Sequence, residues 1–81
     1  MVSGMPQVTM VEPNGPAIKD RRESLGLSQR ALGTRAGCSR AYVCAIERGK
    51  WPAVSKLIIG RIARALEVSP EEFIRVTEDA A

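Results

Sequence analysis

The sequence predicts a compact all-α domain of five short helices with a flexible N-terminal arm. Three observations carry this expectation. From residue 16 onward the apolar residues recur at helical spacing rather than in alternation. Helix-starting serines (Ser28, Ser39, Ser69) and helix-ending glycines (Gly26, Gly37, Gly49) punctuate the same stretch. The chain has 81 residues, which admits one small core and little else.

Residues 1–15 are expected to form the arm. Gly4, Pro6, Pro13, Asn14 and Gly15 bracket a short alternating run, Gln7 to Glu12. That run is a strand if it finds a partner and a flexible arm if it does not. Pro16 suits the first turn of a helix, and Ile18, Arg22 and Leu25 then share one face. Ser28 caps a second helix from Gln29 to Ala36, which Gly37 ends. Ser39 caps a third from Arg40 to Arg48, which Gly49 ends. Pro52 pushes Trp51 out of helical geometry, so Lys50 to Ala53 reads as a loop. Val54, Leu57, Ile58, Ile62, Ala65 and Leu66 make the apolar stripe of a fourth helix reaching Glu67. Gly60 lies within it, either permitting close packing or simply tolerated. Ser69-Pro70-Glu71-Glu72 has the form of a capping box and starts a fifth helix carrying Phe73, Ile74 and Val76. The domain is expected over residues 16–77, with 78–81 as a frayed tail.

The formal net charge of +3 conceals an asymmetry. Residues 16–66 hold eleven Lys and Arg against three acids, a net +8, between an arm at −1 and an end at −4. A segment at +8 attracts polyanions. There is no His, so the commonest metal ligand and general base is missing. No Gly-rich phosphate loop or metal constellation is visible, and neither an enzyme, a metal nor a cofactor is expected. Cys38 and Cys44 cannot alone complete a zinc site, and they read as free thiols in a reducing cytoplasm. No membrane span or secretory signal is expected.

The strongest signal runs from Gln29 to Arg48. Two short helices flank Gly37-Cys38-Ser39, with the glycine where a tight turn needs positive φ. Gly33, four residues earlier, lets the second helix cross the first closely. Leu32, Ala36, Cys38, Val43 and Ile46 supply the apolar contacts that hold the crossing. This is the logic of a helix-turn-helix, whose second helix is presented to the major groove.

Leu32-Gly33-Thr34-Arg35-Ala36-Gly37, Ser39-Arg40-Ala41-Tyr42-Val43, Ile46-Glu47-Arg48-Gly49-Lys50 and Ile62-Ala63-Arg64-Ala65-Leu66 resemble the phage-repressor and Cro-type (lambda-repressor-like) helix-turn-helix family. The resemblance covers about Ile18 to Ile74. It implies a five-helix domain that binds double-stranded operator DNA, usually as a homodimer on a palindrome. Base contacts then fall to Ser39, Arg40, Ala41 and Ala45. Arg40 is the long donor able to reach a guanine, and the two alanines suit a thymine methyl. Phosphate contacts fall to Gln29 at the start of the second helix, to Tyr42, Arg48 and Lys50, and to Arg22. Arg22 and Glu47 match a pair that forms an internal salt bridge in several phage repressors. Phe73, Ile74 and Val76 are candidates for the dimer surface or for core packing. Family members also serve as antitoxins, so a protein partner at the acidic end is the competing reading. Two departures stand out. The common alanine of the second helix is Gly33, and Trp51 in the following loop is unusual.

Overall fold

The computed structural model describes residues 9–75. Val76 and the 78–81 tail, and the arm up to residue 8, lie outside the described residues. Four α-helices form: α1 (Gly15–Ser24), α2 (Gln29–Ala36), α3 (Arg40–Glu47) and α4 (Lys56–Ala65). Two short strands, β1 (Met10–Val11) and β2 (Val54–Ser55), make a small antiparallel sheet. A 3-10 turn over Pro70–Phe73 closes the described chain.

The middle of the chain follows local chemistry. Ser28 Oγ accepts the Ala31 N–H at 3.0 Å to start α2. Ser39 Oγ does the same for Tyr42 at 3.1 Å to start α3. Gly37, at φ +78, ends α2 and turns the chain toward α3. Ile18, Leu32, Val43, Ile46, Ile59, Ile62, Leu66 and Phe73 are fully buried among these helices. The core therefore draws a side chain from every helix and fixes the angle at which α3 is held.

The ends of the chain correct three expectations. The second half of the expected arm is ordered. Met10 pairs with Ser55 and Val11 with Val54, and Lys56 N–H donates to Thr9 C=O at 2.8 Å. Asn14 Oδ1 then caps α1 by accepting the Ala17 N–H at 3.1 Å. The partner strand comes from the start of the expected fourth helix, so that helix begins only at Lys56, with Ser55 as its cap.

The fifth helix is not an α-helix. Ser69 makes no side-chain bond to the backbone; its hydroxyl engages the Glu71 carboxylate instead. Ile74 turns extended and bridges Pro13, while Asn14 N–H donates to Phe73 C=O at 2.8 Å and Arg75 N–H to Glu12 C=O at 2.9 Å. These bonds to the segment before α1 draw the chain out of helical geometry after one turn.

Phe73 was a candidate dimer residue; it is 2% exposed and belongs to the core. Ile74 is half-buried in the bridge to Pro13. Phe73 therefore offers no surface to a second copy. Among the described residues no helix is long and apolar enough to cross a membrane.

Candidate nucleic-acid interface

α3 has two unlike faces. Val43, Ile46 and Glu47 are buried, whereas Arg40 and Ala41 are exposed and Ala45 is half-buried. Ser39, Arg40 and Ala41 thus stand together at an exposed, capped helix start, and Ala45 continues their strip one turn later. Ser39 Oγ accepts from the Tyr42 N–H, which leaves its own O–H free to donate outward. Arg48 and Lys50 follow α3 and are exposed. Arg40, Arg48 and Lys50 form no ion pair among the described residues.

The buried face of α3 carries the polar anchor of the molecule. Arg22 of α1 and Glu47 of α3 meet in a two-pronged hydrogen bond. Arg22 Nε donates to Glu47 Oε2 at 2.6 Å and Nη2 to Oε1 at 2.9 Å. Nη1 donates to Leu27 C=O at 2.7 Å. The guanidinium so tied is held above its ordinary pKa, chiefly by the hydrogen bonds to Glu47. Every nitrogen of the group is engaged inside the protein, and Arg22 is 7% exposed. Arg22 is therefore committed to partners inside the protein. Its reach is limited because its partner sits on the buried side of α3.

Gln29 opens α2 but is also turned inward, with Nε2 donating to Glu47 Oε1 at 3.1 Å. One carboxylate thus gathers side chains from α1 and α2 against α3. The approach is close. A Cβ at Gly15 would lie 2.5 Å from the carbonyl oxygens of Ile46 and Glu47, so the start of α1 rests against the end of α3 only because residue 15 has no side chain. A Cβ at Gly33 would lie 2.6 Å from Cys38 C=O, across the turn between α2 and α3.

Sequence reasoning missed several of these partners. The Leu27 carbonyl and the Gln29 amide join the Arg22–Glu47 pair through contacts that no residue pattern announces. The Asn14 cap had a readable signal, a capping residue directly before Gly15-Pro16. Tyr42 is half-buried and packs against the core, and its ring meets that of Trp51 with centroids 4.8 Å apart and planes tilted by 45°. Cys38 is half-buried, and burial pushes its thiol pKa up, opposed by the charge of Arg61. Among the described residues no group of three or more Cys, Asp or Glu is placed to hold a metal ion.

Comparison with known proteins agrees with this geometry. The family model of the helix-turn-helix domain matches residues 15–74. An HTH-type transcriptional regulator of Methanothermobacter thermautotrophicus (strain Delta H), itself uncharacterised, is 37% identical over 65 residues, covering 79% of this chain and 93% of its own. The restriction-modification controller protein C.AhdI of Aeromonas hydrophila superposes with a TM-score of 0.67 at 38% identity, over 72% of this chain and 83% of the other. The P22 c2 repressor, solved in complex with a synthetic operator, also superposes with a TM-score of 0.67, at 27% identity over 82% of this chain and 91% of the other. By its sequence, its fold and the arrangement of α2 and α3, the chain belongs to the helix-turn-helix family of transcriptional regulators, among those of the phage-repressor type.

Proposed function

We propose that this protein regulates transcription by binding operator DNA as a homodimer, each copy placing α3 in the major groove of one half-site. The observation that carries this reading is the exposed start of α3. Ser39, Arg40 and Ala41 stand outward on a helix whose opposite face is locked to α1 and α2 through Glu47. A recognition element must be presented rigidly, because a loose helix loses the orientation that base contacts need.

Within this reading Arg40 is the base-reading donor, with a two-pronged contact to guanine. Ala41 and Ala45 meet thymine methyl groups or leave the helix room to sit deep. Arg48, Lys50 and Tyr42 take phosphates, and the free N–H groups at the start of α2 favour another. Arg22 acts indirectly, by holding Glu47 and hence α3.

Selection of bound duplexes from a random DNA pool tests the proposal. The expected product is an inverted repeat whose half-sites lie about one helical turn, roughly 34 Å, apart or a multiple of that. Binding to it should be in the nanomolar range or tighter and fall steeply with added salt. Sedimentation of the complex should show two protein copies per duplex. Equal affinity for selected and random DNA across salt concentrations would refute the operator reading. Arg40→Ala should relax preference at one base pair by about 1–3 kcal/mol and leave the others intact.

A further inference from the structure

Trp51, paired with Tyr42 at the edge of α3, has no part in the contacts proposed above. Trp51 is the only tryptophan of the chain. Gly49 N–H donates to Ile46 C=O at 3.0 Å and Lys50 N–H to Ala45 C=O at 2.9 Å, so the backbone leading to Trp51 is pinned to the last turn of α3. Its indole packs on Tyr42 at 4.8 Å and remains 36% exposed. Tyr42 is half-buried and packs against the core. The indole is thus a partly exposed group held against a ring that is itself anchored.

Its position follows from helix geometry. Tyr42 precedes Ala45 by three residues, so the two are neighbours on the helix surface. Ala41 and Ala45 make a flat strip on the outward face, and Tyr42 with Trp51 stands along one border of that strip. A helix with a flat outward strip can sit deep in a groove, and a raised border then meets the wall of the groove, which is sugar and phosphate. The chemistry suits that wall. Among the described residues neither the phenol O–H nor the indole N–H has a hydrogen-bond partner, and the exposed Arg48 and Lys50, just before Trp51 in the chain, form no ion pair.

We infer that Trp51 contacts the sugar–phosphate backbone of the bound duplex, its ring against deoxyribose and its N–H toward a phosphate, supported by the Tyr42 ring packed beside it. This rests on the operator reading. As the chain has one tryptophan, its fluorescence reports this side chain alone.

The test titrates the full chain with the selected duplex. Binding is followed by anisotropy of a label on the DNA, and Trp51 by its emission and its quenching by acrylamide. Binding should change the emission and shield the indole from acrylamide. Trp51→Ala should weaken binding about tenfold or more, with a melting temperature close to that of the wild type. Trp51→Phe, which keeps the packing on Tyr42 and loses the N–H, should fall between the two. If the duplex binds while emission and quenching stay unchanged, or if Trp51→Ala binds as the wild type does, the inference is wrong and operator binding stands. Failure of the wild-type chain to bind any duplex overturns both. The quenching measurement needs no variant, so it decides the matter even if Trp51→Ala folds poorly.

Discussion

Replacing Glu47 with Leu should destabilise the protein severely, while replacing Arg22 and Glu47 together should not. The reasoning is electrostatic. The Arg22 side chain is 9% exposed and that of Glu47 2%. Both charges were taken from water, and each is compensated chiefly by the other and by the Leu27 and Gln29 contacts, with the exposed Glu23 carboxylate 3.9 Å from Arg22 adding a weaker attraction. Glu47→Leu leaves the guanidinium buried with only the exposed Glu23 carboxylate, 3.9 Å away, as counter-charge. Loss of one member of such a pair costs about 3–5 kcal/mol. A domain of this size is stable by about 4–12 kcal/mol, so the loss removes a large share. In melting temperature it amounts to a drop on the order of 20 °C. Arg22→Met with Glu47→Leu removes both charges, and such exchanges are often neutral or stabilising by about 1–4 kcal/mol. Urea and thermal melts followed by circular dichroism read both variants. Because the pair is shielded from solvent, added salt should change the single variant's deficit little. A loss below about 1 kcal/mol for Glu47→Leu would refute the argument, since that is the range of an exposed pair.

Two glycines make a paired test. A Cβ at Gly60 meets nothing within 4 Å, so Gly60→Ala should stabilise α4 by about 1 kcal/mol. Gly15→Ala drives a Cβ to 2.5 Å from two backbone carbonyls and should destabilise by about 1–3 kcal/mol, both effects being read in urea melts. Glu67 follows α4 with φ +62, so Glu67→Gly should raise stability by about 1 kcal/mol; a lower melting temperature would count against that strain. Burial raises the Cys38 pKa, so at neutral pH this thiol should alkylate more slowly than a free cysteine, as measured by peptide mass spectrometry. The linked stability has a definite sign. It is fully present below the ordinary thiol pKa of 9.0 and is lost as pH rises through the raised value.

The helix-turn-helix itself was legible because its signals are local. Ser28, Gly37 and Ser39 act on residues two to four positions away, and a cap needs nothing else to be recognised. The apolar spacing of Leu32, Ala36, Val43 and Ile46 likewise announced which faces would be buried. The exposed placement of Ser39, Arg40 and Ala41 follows from that same period.

What tertiary structure decided lies in the long-range contacts. Whether the run before Pro13 is an arm or a strand depends on a partner near the start of α4, far along the chain, and a strand without a partner has no stability of its own. The same bridging at Pro13 and Ile74 ended the fifth helix after one 3-10 turn and delivered Phe73 to the core. The inward turn of Gln29 was also a tertiary decision, whereas the Arg22–Glu47 pair was expected from the family resemblance. The Gln29 side chain is long enough to reach solvent, and the position of the Glu47 carboxylate on the buried side of α3 determined where its donor went. Sequence set the elements and the charge of this protein because caps and periods act within a turn or two. Tertiary structure chose the partners, because a buried donor takes the acceptor that folding brings within reach.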